Sequence, residues 1–161
     1  MREFATPMTV SIPSTGSLAD DVVANATDAP DAVAFSRRTE EDWSDVTAAE
    51  FMVQVTAAAK GLVAAGVEPG DRVALMSRTR YEWTLLDYAI WTAGAVTVPV
   101  YETSSAEQIA WIVADSGSEV LVAETAHALL TRSAWPPVSA TRTSDPESAT
   151  IQAICSGDEV S

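Results

Sequence analysis

The sequence predicts an α/β fold built on a parallel sheet, and two observations carry the prediction. Residues 71–124, DRVALMSRTRYEWTLLDYAIWTAGAVTVPVYETSSAEQIAWIVADSGSEVLVAE, alternate strand, helix, strand, helix and strand patterns without a break. Within them, Val73, Val96 and Val120 centre three Val-rich runs spaced roughly two dozen residues apart, the length of one compact βα unit. Successive right-handed crossovers then give a parallel sheet, and no tandem repeat of the solenoid kind is present.

Four places share one local grammar, a hydroxyl residue followed three positions later by an acid: Ser17 with Asp20, Thr47 with Glu50, Thr79 with Glu82, and Ser104 with Glu107. Each predicts a helix start, because the hydroxyl can accept from a first-turn N–H while the acid reaches back to the cap. Gly66, Gly94 and Gly117 predict three helix ends. Between Thr47 and Gly66, Ala48, Phe51, Met52, Val55, Ala59, Leu62 and Val63 recur at intervals that form one apolar stripe. The segment 80–93 differs, since Trp83, Leu85, Leu86, Tyr88, Ala89, Ile90 and Trp91 cover most of a helical circumference. It is expected to be buried on several sides. Strands are expected at residues 33–37, 72–76, 95–100 and 119–123, the last three covered on both faces as parallel strands are.

Composition limits the function. A chain of 161 residues with 47% hydrophobic content can bury a core and predicts one domain plus a tail. Nine Lys and Arg against 23 Asp and Glu leave a net charge of −14, which disfavours nucleic acid and anionic lipid as partners. Cys155 is the single cysteine and has no intramolecular partner, and no Cys/His cluster shows metal-ligand spacing, so a reducing, cytoplasmic setting is expected. The first residues lack a signal-peptide core. The apolar stretch 85–101 is interrupted by Asp87, Thr92, Gly94, Thr97 and Pro99, so no membrane span is expected. After His127 the composition shifts to Ser, Thr, Ala and Pro, with breakers at Pro136, Pro137 and Pro146 and a short helical continuation over 128–130. Residues 128–161 are therefore read as a divergent tail with little order.

The candidate chemistry is sparse. Pro13, Ser14, Thr15, Gly16 and Ser17 look like a phosphate loop but lack a following Lys and a preceding strand, so a helix cap is preferred. Ser77, Arg78, Thr79 and Arg80 lie between a strand and a helix start, where anions bind readily. Capping by Thr79 with solvated arginines is the preferred reading there, with a ligand role as the alternative. The turn Tyr101, Glu102, Thr103, Ser104 and Ser105 carries hydroxyls that could touch a ligand, one of them explained as a cap. His127 has no recognisable nucleophile partner, and Trp43, Trp83, Trp91, Trp111 and Trp135 are assigned to core packing rather than to a stacking platform.

Several motifs in order nonetheless resemble a known family. Gly70-Asp71-Arg72-Val73-Ala74, Arg80-Tyr81-Glu82-Trp83, the run from Gly94 through Pro99-Val100-Tyr101-Glu102-Thr103 to Gln108, and Asp115-Ser116 are similar to the N-terminal region of AMP-forming acyl-CoA synthetases. The likeness is greatest to bacterial, particularly actinobacterial, long-chain fatty-acid–CoA ligases. Trp43-Ser44-Asp45-Val46-Thr47-Ala48-Ala49-Glu50 also resembles the short strand entering that family's first long helix. The resemblance covers residues 1–127 and implies a partial N-terminal domain of the adenylate-forming fold.

It further implies the reaction of ATP, a fatty acid and CoA to acyl-CoA, AMP and diphosphate, assisted by Mg²⁺. The family's phosphate loop ending in Pro-Lys, its Thr-Glu segment, ribose-binding Asp and C-terminal catalytic Lys have no counterpart here. No catalytic, cofactor-binding or metal residue is therefore expected in this chain. The tail resembles the out-of-frame product of a GC-rich gene, so the chain is expected to be a truncated ligase, inactive alone and a potential partner of a larger ligase polypeptide. Two alternatives stand beside this. One is a non-catalytic module docking on another ligase chain through an exposed sheet; the other is a small flavodoxin-like nucleotide binder using the turns 77–80 and 101–105.

Overall fold

A computed structural model describes residues 15–38 and 42–124. The elements run α1 (Ala19–Asp28), β1 (Val33–Arg38), β2 (Trp43–Thr47), α2 (Ala48–Ala64), β3 (Arg72–Met76), α3 (Tyr81–Thr92), β4 (Val96–Val100), α4 (Ala106–Ser116) and β5 (Val120–Ala123). The strands form two sheets. β1 and β2 pair antiparallel, while β4, β3 and β5 lie in that order as a parallel sheet with β3 central. The expectations for residues 125–161, including the 128–130 helix, His127, Trp135 and Cys155, and those for Pro13 and Ser14, lie outside the described residues.

Burial follows from this order. Val73, Ala74, Leu75 and Met76 of β3 are all buried, as a strand with neighbours on both edges and helices on both faces requires. Side chains alternate across the pleat. Val73 and Leu75 therefore join Ala58, Ala59 and Leu62 of α2, Leu86, Ala89 and Ile90 of α3, and Val122 of β5. Ala74 and Met76 face the other way, with Val100, Ile109 and Val113 beneath α4. A third cluster joins Val22, Val46, Phe51, Val55 and Leu85, and around it Phe35, Phe51, Tyr81 and Tyr88 meet with ring centroids 4.7 to 6.1 Å apart. These rings fasten the hairpin to α2 and α3.

The outer strands differ from the expectation of two-sided cover. Val96 and Pro99 of β4 are exposed and β5 is only partly buried, because each is an edge strand among the described residues. Pro99 suits an edge, having no N–H to give a neighbour. Val63, placed on the apolar stripe by sequence, is exposed, and Ala58 is buried in its place on the α2 face. Trp43 and Trp111 are exposed too, contrary to their assignment to the core. Trp43 begins the two-stranded hairpin, and Trp111 lies on the face of α4 opposite Ile109 and Val113. Trp83 packs against the main core, and Trp91 meets Tyr88 edge-on at 5.2 Å.

The helix starts divide by geometry. Thr47 and Glu50 form the reciprocal capping box of α2, with the Glu50 N–H donating to Thr47 Oγ1 at 3.2 Å and the Thr47 N–H to Glu50 Oε2 at 2.9 Å. At α4 the box falls one residue later than read, on Ser105 and Gln108, while Glu107 accepts from the Ser105 hydroxyl at 2.8 Å. Thr79 caps nothing; Arg80 takes the cap position of α3 without a side-chain bond, and its guanidinium holds Glu82. At α1 only half a box forms, the Ser17 N–H donating to Asp20 at 2.8 Å. Gly94 ends α3 at φ +80°, where a Cβ would stand 3.1 Å from Pro69 Cβ. A side chain is disfavoured there on both counts.

The caps generate a test. Thr47→Ala and Ser105→Ala are expected to lower stability by about 1 kcal/mol each in urea unfolding. Thr79→Ala and Ser104→Ala are expected to stay within about 0.5 kcal/mol of the parent.

Candidate functional site

In an open parallel sheet, ligands favour the carboxyl ends of the strands at the point where successive connections depart in opposite directions. That point lies here between β3 and β5. From β3 the chain passes through α3 to β4 on one side, then through α4 to β5 on the other, with α3 and α4 on opposite faces. The turn Ser77 to Arg80 leaves β3, and Glu124 follows β5. Two arginines beside a helix N-terminus would ordinarily draw an anion.

They have drawn one from the chain itself. Glu124 Oε1 accepts from Arg78 Nη2 at 2.6 Å, from Arg78 Nε at 3.1 Å and from Arg80 Nη1 at 2.9 Å. Its Oε2 accepts from the Arg78 backbone N–H at 3.1 Å and the Ser77 hydroxyl at 3.3 Å. Arg80 also grips Glu82 at 2.5 Å, and Glu102 approaches Arg78 at 3.9 Å. Arg78 stays largely in solvent, as the sequence suggested, yet both arginines are paired with Glu124.

Exposure ranks these contacts. Arg78 is 67% exposed, so its ion pair is screened and weak. Arg80 is 32% exposed and Glu124 12%, so their pair works in a drier place and contributes more. Hydrogen bonds from Arg78, together with those from its backbone and from Arg80, outweigh the cost of burial and lower the Glu124 pKa from 4.5 to about 2. A carboxylate held this strongly is a poor general base at neutral pH.

The neighbouring turn offers less. Tyr101 is exposed, the Ser104 N–H closes the turn on the Tyr101 carbonyl at 3.0 Å, and Ser105 is committed to its cap. A cleft of about 180 Å³ between α1, β1, α2 and α3 is lined by Asp21, Val22, Phe35, Phe51 and Tyr88 among others. Binding sites for drug-sized molecules run from about 300 Å³ upward, so this hollow is too small for a long acyl chain or a nucleotide. Among the described residues, no group of three or more His, Cys, Asp or Glu is placed to hold a metal ion. No helix among them is long and apolar enough to cross a membrane.

The Glu124 cluster was missed by sequence reading. Its partners stand 44 to 47 residues away, and no local signal marks a single Glu at a strand end as the counter-ion of a distant turn.

Comparison with known proteins gives a consistent result. The model of the AMP-binding enzyme family matches residues 22–159. Long-chain-fatty-acid–CoA ligase FadD15 of Mycobacterium tuberculosis, and its counterpart in Mycobacterium bovis, are 49% identical over 125 residues, covering 78% of this chain and 21% of theirs. The uncharacterized protein Rv1549 of M. tuberculosis is 34% identical over 109 residues, which are 68% of this chain and 61% of that one. Among solved structures, a protein of Rhodopseudomonas palustris assigned as a long-chain-fatty-acid CoA ligase superposes with TM-score 0.66 at 30% identity, over 75% of this chain and 30% of its own. The N-terminal subdomain of Klebsiella oxytoca NpsA, in complex with 3-hydroxybenzoyl-AMSN, gives 0.60 at 26%, over 67% and 26%. The chain spans about one fifth of the length of the FadD15 relatives.

Removal of the central carboxylate should be costly in a defined way. Glu124→Gln is expected to lower stability by about 2 kcal/mol at pH 7, and Arg80→Ala to cost more than Arg78→Ala, in urea unfolding. Because the folded pKa lies below the unfolded one, this contribution is present above pH 4.5 and is lost as pH falls toward 2. The parent and Glu124→Gln curves should therefore converge over that acidic range.

Proposed function

Since the chain belongs to the AMP-binding enzyme family, we propose that it is the N-terminal α/β portion of a long-chain fatty-acid–CoA ligase. The observation that carries this is the 49% identity to FadD15 across 78% of the chain, joined to a three-stranded parallel sheet of the same fold as acyl-CoA ligase neighbours. In such an enzyme ATP and a fatty acid form an acyl-adenylate, which passes its acyl group to CoA. This portion contributes scaffold. The arginines at its switch point are committed to Glu124, so ATP, Mg²⁺ and CoA are held by residues outside it, and the chain does not catalyse by itself. We place it in the cytoplasm, in line with its acidic balance and the ordinary surroundings of acyl activation.

We divide the chain at about residue 127, on the change of composition there, into a family-type domain and a divergent tail. Since the family match continues to residue 159, limited proteolysis with mass spectrometry decides the division. Protection through residue 159 would overturn it. The nucleotide-binder alternative loses its main support where Arg78 and Arg80 are already paired.

A chimera provides the functional test. With residues 1–124 of this chain replacing the matching N-terminal segment of M. tuberculosis FadD15, palmitate- and CoA-dependent AMP formation is expected to persist. The 161-residue chain alone is expected to give none. A folded but inactive chimera, or turnover by the chain alone, would contradict the proposal.

A further inference from the structure

The hollow between α1, β1, α2 and α3 is too small for a nucleotide or a long acyl chain, but its walls are chemically distinctive. Phe35, Phe51 and Tyr88 line it with three aromatic rings, and Asp21 and Asn25 of α1 line it with polar groups. Both α1 side chains are exposed, and neither takes part in a hydrogen bond or ion pair among the described residues. Asp20, one residue earlier, is the one that accepts from the Ser17 N–H.

The backbone is irregular at the same place. Across the hairpin the register passes from Val33 opposite Thr47 to Phe35 opposite Val46, so Ala34 is an extra residue with no partner on β2. Ala34 lines the hollow as well. A bulge of this kind bends its strand and re-aims the side chains beside it, and bulges are common next to functional sites.

The walls select the charge of a ligand and the volume selects its size. Aromatic faces attract cations, and this ring cluster already holds one, since the Arg37 guanidinium lies 5.4 Å from the centroid of Tyr81, whose ring meets those of Phe35 and Phe51. No Lys or Arg lines the hollow itself. With Asp20 beside it to offset the positive end of α1, Asp21 is left to balance a charge. The net charge of −14 gathers cations from solution, and the Asn25 amide oxygen can accept from an N–H or O–H of the ligand. A volume of about 180 Å³ is close to the roughly 150 Å³ that holds a molecule of benzene.

We infer that the hollow is a binding site for a compact organic ammonium ion, a free small molecule of the size of choline. Its cationic head lies against the rings of Phe35, Phe51 and Tyr88, and Asp21 balances its charge. The site is built from residues 21–88 and does not rest on the ligase reading.

The probe is choline, titrated into the 161-residue chain and followed by ¹H–¹⁵N NMR, beside its neutral analogue in which carbon replaces the nitrogen. Choline is expected to shift the amides of Asp21, Asn25 and Phe35 together and to bind about fivefold more tightly than the neutral analogue. Asp21→Asn should weaken choline binding about threefold and leave the analogue unaffected. It should also leave the melting temperature unchanged, because the exposed carboxylate has no partner to lose. Choline affinity should fall as salt rises from about 0.05 to about 0.5 M. Equal binding of choline and its analogue, or an Asp21→Asn chain that binds choline as the parent does, would overturn the site. Retention on phosphatidylcholine vesicles without any shift from free choline would overturn it too. None of these outcomes touches the activity of the FadD15 chimera, on which the ligase reading stands.

Discussion

Strand β3 is buried on both faces, and that constraint organises everything around it. Val73 and Leu75 need an apolar layer on one side, and Ala74 and Met76 need one on the other. α2 with α3 supplies the first and α4 the second. A chain that places helices on opposite faces of one strand must cross the sheet in two directions. It thereby creates a crevice at the strand's carboxyl end.

What fills that crevice decides what the fold can do. Two arginines and a free backbone N–H would suit a phosphate, and on topology alone the turn after β3 invites a nucleotide reading. Glu124 removes the invitation. It is 12% exposed and receives bonds from both arginines, the Arg80 pair being the better shielded from solvent. The cluster also ties the end of β5 to the start of α3 and closes the sheet where two parallel strands part. Membership in the AMP-binding family and a scaffold role at this crevice are thus compatible.

Much of the fold was legible because its signals are local. Three Val-rich runs at constant spacing gave the parallel strands, and Thr47 with Glu50 gave a helix start to the residue. At α4 the local code was degenerate. Ser104 with Glu107 and Ser105 with Gln108 both fit the capping pattern, and the preceding turn chose the second. Thr79 with Glu82 failed for a different reason, since a nearby arginine took the acid. Trp43 and Trp111 show that a large apolar side chain does not by itself say which face of its element it occupies. Glu124 was beyond reach altogether, because its role depends on a turn more than forty residues away in the chain.

The ionisation of Glu124 measures most directly whether the crevice is closed from within. In a ¹³C NMR titration of glutamate carboxyl resonances, with Glu124→Gln supplying the assignment, Glu124 is predicted to titrate at about 2 while the chain is folded. Titration near the ordinary value of 4.5 would mean that Arg78 and Arg80 do not hold it, and that the anion-binding end of β3 is open to a ligand after all.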